Sequence, residues 1–78
     1  MDLIWITKAE YLKDYKIELA FNDGRQGVVD LEETIRKAPF NLLKDEKCFK
    51  SFQQNSWTIE WENGLDLAPE YLYNLVQN

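Results

Sequence analysis

The sequence predicts an α+β fold, with an antiparallel sheet of about five strands in two hairpin units and two short helices, the last of them C-terminal. Two observations predict this class. Apolar and polar residues alternate in segments 15–21 and 57–61, as in strands with one buried face. Each segment leads into a tight-turn pair, Asp23-Gly24 or Asn63-Gly64, followed by a short apolar run and a helix-start signal. A chain of 78 residues is expected to form a single domain.

The first third of the chain predicts a three-stranded meander. Leu3 to Leu12 is rich in β-forming residues and predicts a first strand with an irregularity near Ala9. The polar pair Lys13-Asp14 suits the turn into a second strand, Tyr15 to Phe21. Gln26 to Leu31 is then expected to return as the third strand.

The segment after the third strand predicts a short helix. Asp30 can cap its N-terminus, because Glu33 lies three residues on, and Pro39 ends the helix at about Lys37.

The connector that follows is expected to be buried, with one further helical turn near Leu42 to Lys44, through the apolar residues Phe40, Leu42 and Leu43. Segment 46–53 fits either a helix face or a strand, and we favour a strand at its end.

The last third predicts a second hairpin and a helix. Trp57, Ile59 and Trp61 are expected to line the buried face of a strand, because they alternate with polar residues. After the Asn63-Gly64 turn, Leu65 to Leu67 predicts a short return strand. Pro69 has the φ angle of a first helical position. The apolar stripe of this C-terminal helix comprises Ala68, Leu72, Leu75 and Val76.

Composition removes several kinds of chemistry. The chain has no histidine, so it lacks the usual neutral-pH general base and the Ser/His and Cys/His nucleophile pairs. Its single cysteine, Cys48, cannot form an intrachain disulfide and is expected to be a buried structural thiol, which fits a reducing cytoplasm. We therefore assign no catalytic residue, no cofactor and no metal site.

The net charge is −5, from nine basic and fourteen acidic residues. This charge disfavours direct nucleic-acid binding and would attract a basic partner protein, although an acidic excess also simply keeps small domains soluble. The N-terminus has no basic region followed by an apolar block, and no apolar run is long enough to span a membrane. We expect a cytoplasmic protein that does not bind membranes.

Four carboxylates next to turns are the candidates for a cluster of oxygen ligands around a hard cation: Asp23, Asp30, Asp66 and Glu70. Helix capping and turn formation explain the same four residues more simply.

The two tyrosines of the last helix flank Leu72 and cannot both face the core. One is expected at the surface, where it would form a contact patch beside Trp57 or Trp61 or lie half covered by its own sheet. The candidate interaction residues are Trp61, Asn63, Gly64, Asp66, Glu70, Tyr71 and Tyr73.

Several motifs carry a family resemblance. They are Trp5, the Phe21 to Gly24 turn, Gly27, Asp30-Leu31, Phe40 to Leu43, Phe49 and above all the series Trp61, Asn63, Gly64, Asp66, Leu67, Pro69, Glu70, Leu72, Tyr73. Through them nearly the whole chain resembles the small prokaryotic family catalogued as Domain of Unknown Function 2442. The resemblance implies a small α+β domain, sometimes fused to a helix-turn-helix segment, with a small genomic neighbour in pairs that look like toxin and antitoxin modules. The chain ends at Asn78 without a second domain, so the DNA binding of the fused forms is not carried over.

These observations favour a small cytoplasmic protein-interaction or regulatory module, in one version the antitoxin-like half of a two-protein pair. Its expected partner is another small protein, and a basic protein is one candidate. The same observations are compatible with a homo-oligomer. One alternative is a carboxylate-dependent enzyme or metal-binding domain. The other is a nucleic-acid-associated regulator.

Overall fold

The computed structural model describes residues 3–38, 40–62 and 64–76. In chain order the elements are β1 (Ile6–Tyr11), β2 (Lys16–Phe21), β3 (Gln26–Asp30), a first 3-10 turn (Thr34–Arg36), a second 3-10 turn (Phe40–Leu43), α1 (Glu46–Phe49), β4 (Gln53–Gln54), β5 (Ile59–Glu60) and α2 (Pro69–Val76). The fold is α+β, as predicted, with its five strands divided between a three-stranded and a two-stranded antiparallel sheet. Pro39 and Asn63, used above for a helix end and a turn, lie outside the described residues.

The first sheet is the predicted meander, in the order β1-β2-β3. Ile17, Leu19 and Phe21 alternate toward the core and are buried, which is the physical basis of the register. The register between β1 and β2 shifts between Ile6 and Lys8, so the irregularity predicted near Ala9 lies closer to the start of the strand.

The two turns that join these strands contain residues with positive φ angles. Asp14 and Tyr15 both have positive φ, at 52° and 63°, between β1 and β2. Gly24, at φ 92°, occupies the left-handed region between β2 and β3, where a residue without Cβ is least strained.

The helix predicted from Asp30 to Lys37 is wrong, because the segment forms only the first 3-10 turn. The Asp30 carboxylate accepts a hydrogen bond from the Glu32 N–H at 3.0 Å, which holds a local turn. One backbone bond, Ile35 N to Leu31 O, spans four residues as in an α-helix, but the next two, from the N–H groups of Arg36 and Lys37, span only three. So short a segment does not repay the cost of nucleating an α-helix.

The connector is partly as predicted. Its helical turn exists, and Leu43 is buried, but Leu42 is 64% exposed and is not part of a buried segment. Segment 46–53 contains both structures that its pattern allowed, α1 followed by the favoured strand β4. Asp45 begins α1 by accepting a hydrogen bond from the Lys47 N–H at 3.0 Å.

Cys48 is exposed, so the expected buried thiol is wrong. The reason lies in the short helix α1, where the neighbouring Phe49 takes the buried position and leaves the preceding residue on the outer side.

The second sheet is shorter than predicted. β4 and β5 pair Gln53 with Glu60 and Gln54 with Ile59, while the predicted return strand Leu65 to Leu67 provides only one isolated bridge, from Glu60 to Asp66. Gly64, in the tight turn between Glu60 and Asp66, has φ 88°.

Trp57 is not on the buried face of this strand, contrary to the alternation in the sequence. The Asn55 side-chain oxygen accepts hydrogen bonds from both the Trp57 and the Thr58 N–H, which folds these residues into a turn and delays β5 until Ile59. Thr58 is buried instead, and its hydroxyl donates to the Leu67 carbonyl at 2.7 Å.

One cluster of buried side chains joins the sheets and α2. It consists of Ile6, Ile17, Leu19, Phe21, Val29, Leu31, Ile35, Leu43, Phe49, Ile59, Trp61, Leu67 and Leu72. Helix α2 contributes Leu72 to the core with Leu75 and Val76 half-buried, while Ala68, predicted in the same stripe, is exposed and Pro69 is buried. No helix within the described ranges is both long and apolar enough to cross a membrane.

Candidate functional site

The sequence-predicted interaction residues do not form one surface. Trp61 is only 3% exposed, and its indole N–H donates to the Phe49 carbonyl at 2.7 Å, so it is a core residue. Gly64 lies at the exposed turn, Glu70 is exposed in the first turn of α2, and Asn63 is outside the described residues.

Tyr73 is half-buried and connects α2 to the β2–β3 turn. Its ring packs edge-on against Phe21, with ring centroids 5.1 Å apart, and its hydroxyl donates to the Asp23 carboxylate at 2.6 Å. The Arg25 guanidinium lies 5.0 Å from the centre of the same ring. The hydrogen bond from Tyr73, followed by that from the Arg25 N–H, lowers the pKa of Asp23. These contacts make Tyr73 a structural link.

Tyr71 is the tyrosine at the surface, with 43% of its area exposed. Its hydroxyl lies 2.7 Å from the Thr34 hydroxyl, which belongs to the first 3-10 turn, and either oxygen can be the donor. The contact predicted with Trp57 or Trp61 is thus replaced by one with Thr34.

A groove runs between the first 3-10 turn and α2. It comprises two adjoining cavities of about 350 and 420 Å³, which share Thr34, Lys37 and Tyr71. The rest of the first cavity is lined by the charged side chains of Asp30, Glu32, Glu33 and Arg36 and by the apolar Leu75. The second is mainly apolar, lined by Ala38, Phe40, Asp66, Leu67 and Ala68. We call this feature the Tyr71 groove; it contains Asp66 and Tyr71 of the predicted set.

A second exposed feature was not predicted from the sequence. The indoles of Trp5 and Trp57 stack with ring centroids 6.2 Å apart and planes 22° from parallel. They are 37% and 39% exposed, and Leu3, on the same segment as Trp5, is 62% exposed. We call these three residues the indole patch.

Two asparagines fix the backbone that carries the indoles. Asn22 accepts a hydrogen bond from the Trp5 N–H at 2.8 Å and donates to the Leu3 carbonyl at 2.9 Å. Asn55 accepts from the Trp57 N–H at 2.7 Å, and the Ile6 N–H donates to the Trp57 carbonyl at 2.9 Å. Both tryptophans therefore sit on backbone held at several points.

The four turn carboxylates do not converge. Asp23 binds Tyr73 and the Arg25 N–H, whereas Asp30 caps Glu32 and lies 3.8 Å from the Lys16 ammonium. Within residues 3–38, 40–62 and 64–76, no group of three or more His, Cys, Asp or Glu side chains could hold a metal ion. The turn and capping interpretation accounts for Asp23 and Asp30.

A signal for the indole patch was present but ambiguous. Asn55-Ser56 is a turn-forming pair directly before Trp57, and such a pair argues against a strand that already includes Trp57. Nothing local indicates that Trp57 meets Trp5, because that contact joins distant parts of the chain.

Comparison with known proteins gives one match. A family model described as "Protein of unknown function (DUF2442)" matches residues 6–78. Neither the curated proteins nor the solved structures contain a match.

Proposed function

Because the chain belongs to the DUF2442 family, whose description states no activity, we propose a function from its surface: it is a protein-interaction module that binds a small basic protein through the indole patch.

The single observation that carries the proposal is the exposure of two stacked indoles. Tryptophan supplies more apolar area than any other side chain, and a folded chain normally leaves little of it in solvent. Here more than a third of each of Trp5 and Trp57 faces solvent, side by side, and Leu3, two residues before Trp5 in the sequence, is also exposed. Tryptophan is also among the residues most enriched at the energetic centres of protein interfaces.

The patch is also held in place before any partner arrives. The hydrogen bonds from Asn22 and Asn55 restrain the backbone of both tryptophans, and each ring restrains the other by stacking. Little conformational entropy is then lost on binding, which is what makes a preorganised surface bind tightly.

Charge supports the choice of a basic partner. The net charge of −5 raises the rate of encounter with a positively charged protein and suppresses encounter with acidic ones. In a two-protein pair, this module would be the neutralising or regulatory half, which agrees with the genomic company that the family resemblance implies.

The test begins with co-purification from the native host, followed by reconstitution of the captured protein and this chain from purified components. We expect a basic partner, and we expect Trp5→Ala and Trp57→Ala each to raise the Kd at least about tenfold, because truncation of an interface tryptophan costs about 2 kcal/mol or more. Amide NMR spectra of each variant establish that it is folded.

Leu42→Ala is the matched control, because Leu42 is an exposed apolar side chain on a different element. It should change the Kd less than about twofold. The proposal fails if the purified chain stays a monomer that ignores every basic protein from its host, or if the indole variants bind as tightly as the unmodified chain.

A further inference from the structure

We propose that the Tyr71 groove binds an extended segment of the same basic partner, with an apolar side chain in one cavity and a lysine or arginine in the other. This inference rests on the proposed function, but it concerns a different surface.

The size and linings of the two cavities fit two different side chains. Each cavity is large enough to accept a side chain, at about 350 and 420 Å³. Phe40, Leu67 and Ala68 give the second cavity an apolar wall that suits a leucine or a similar residue.

Acidic side chains outnumber basic ones by one in the lining of the first cavity. Its lining has three carboxylates and two basic side chains. Arg36 is paired with Glu32 at 3.0 Å, and Asp30 is paired with Lys16 at 3.8 Å. Among the described residues, Glu33 and Lys37 are then left without an ion-pair partner. Glu33 is exposed and is the carboxylate available to a lysine or arginine of the partner.

The hydroxyl pair between the cavities can bind the peptide backbone. Tyr71 and Thr34 have one hydroxyl hydrogen each, and their mutual hydrogen bond uses only one of the two. The other hydrogen can be donated to a peptide carbonyl that crosses from one cavity to the next. Lys37, which lines both cavities, is a second donor for that carbonyl.

The test uses synthetic peptides, acetylated and amidated, in which leucine and arginine are separated by one alanine so that both lie on one face of an extended chain. Both orders of the two residues are titrated into the ¹⁵N-labelled full chain. We expect amide shifts at Thr34, Lys37 and Tyr71, and none at the indole N–H groups of Trp5 and Trp57. A matched peptide with glutamate in place of arginine should bind at least about fivefold more weakly.

Two charge reversals separate a local contact from long-range attraction. Glu33→Lys should weaken the arginine peptide about fivefold and strengthen the glutamate peptide, because the local attraction becomes repulsion. Glu10→Lys, the same change at an exposed site on β1, should alter either affinity less than about twofold.

The inference is overturned if the shifts map to other residues, if no peptide binds, or if Glu33→Lys and Glu10→Lys weaken binding equally. Trp57→Ala should leave the peptide titration unchanged. The peptide titration therefore tests the Tyr71 groove, whereas the affinity of the tryptophan variants for the partner tests the indole patch.

Discussion

Three tryptophans of this chain occupy two kinds of environment, which decides what each can do. Trp61 is buried, and its N–H is satisfied by the Phe49 carbonyl. Trp5 and Trp57 stack on each other and leave more than a third of each residue exposed to solvent. Residue type alone therefore does not separate the indole that stabilises the core from the indoles that can contact a partner.

The Tyr73–Asp23 hydrogen bond gives the protein a specific pH dependence. The pKa of Asp23 is lower in the folded protein than its ordinary value of 3.8. Ionised Asp23 therefore stabilises the fold at pH values above 3.8. This contribution is lost as the pH falls through the lowered pKa. Protonation of the carboxylate should therefore loosen the contact between α2 and the β2–β3 turn.

We predict that Tyr73→Phe raises the pKa of Asp23 toward its ordinary value, because it removes the largest cause of the shift. The part of the acid-dependent loss of stability that comes from Asp23 should shrink accordingly. Carboxyl ¹³C NMR titration of Asp23 measures the first effect, and urea unfolding at neutral and acid pH measures the second. Tyr71→Phe, whose hydroxyl binds Thr34, should leave the Asp23 pKa unchanged. An identical titration curve in Tyr73→Phe would contradict the assigned cause.

At the scale of elements, the close approach of β3 to α2 depends on a residue without a side chain. A Cβ built on Gly27 would lie 2.7 Å from Cγ1 of Val76, well inside van der Waals contact. Valine is branched at Cβ and has few rotamers with which to move away. Gly27 thus allows the last turn of α2 to lie against the edge strand.

We predict that Gly27→Ala lowers the free energy of unfolding by about 1–3 kcal/mol, because of this overlap. Gly24→Ala is the control: a Cβ there meets nothing within 4 Å, so only its positive φ should cost, by about 1 kcal/mol. Urea denaturation gives both values. Adding Val76→Ala to Gly27→Ala should recover part of the lost free energy of unfolding, whereas adding it to Gly24→Ala should recover none. Equal effects in the two backgrounds would rule out the overlap as the cause.

Helical elements show where local patterns were insufficient. The signals at Asp30 and Glu33 are those of a helix start, yet the segment makes one 3-10 turn. A capping residue stabilises a helix only if enough residues follow to repay nucleation. Helix α2, with eight residues and a buried Leu72, does have such support from the core.

At the scale of the whole molecule, aromatic contacts tie the meander to the second half of the chain. Phe49 of α1 packs against Tyr15 and Tyr11 of the first hairpin, at 5.0 and 5.8 Å between ring centroids, and against Trp61 at 5.8 Å. The Tyr11 hydroxyl also donates to the Glu46 carboxylate. Among the residues that the structure describes, the buried side chains of both sheets belong to one cluster.

We therefore predict that the chain unfolds in one cooperative transition, with a free energy of unfolding on the order of 5 kcal/mol, which is typical of so short a chain. Far-UV circular dichroism and tryptophan fluorescence should give the same urea midpoint. A fluorescence transition that precedes the loss of secondary structure would mean that the surroundings of the tryptophans unfold independently, against the single domain expected from the sequence.

Local patterns were sufficient for much of the fold and for little of the site. The alternation that predicts β2, the Asp23-Gly24 turn and the start of α2 at Pro69 all depend on interactions between near neighbours in sequence. Of the predicted interaction residues, Asp66 and Tyr71 line the Tyr71 groove, whereas Trp61 lies in the core. Trp57 continues the alternation of Ile59 and Trp61, so the alternation alone does not reveal that β5 begins only at Ile59.

The sequence by itself determined the α+β class, the order of the meander, the absence of histidine chemistry and the acidic charge, because these follow from composition and from forces between adjacent residues. Only the tertiary structure decided that Trp5 meets Trp57, that Thr34 meets Tyr71 and that Cys48 faces solvent. Contacts between distant residues depend on how the whole core packs, and no short segment of the chain contains that information.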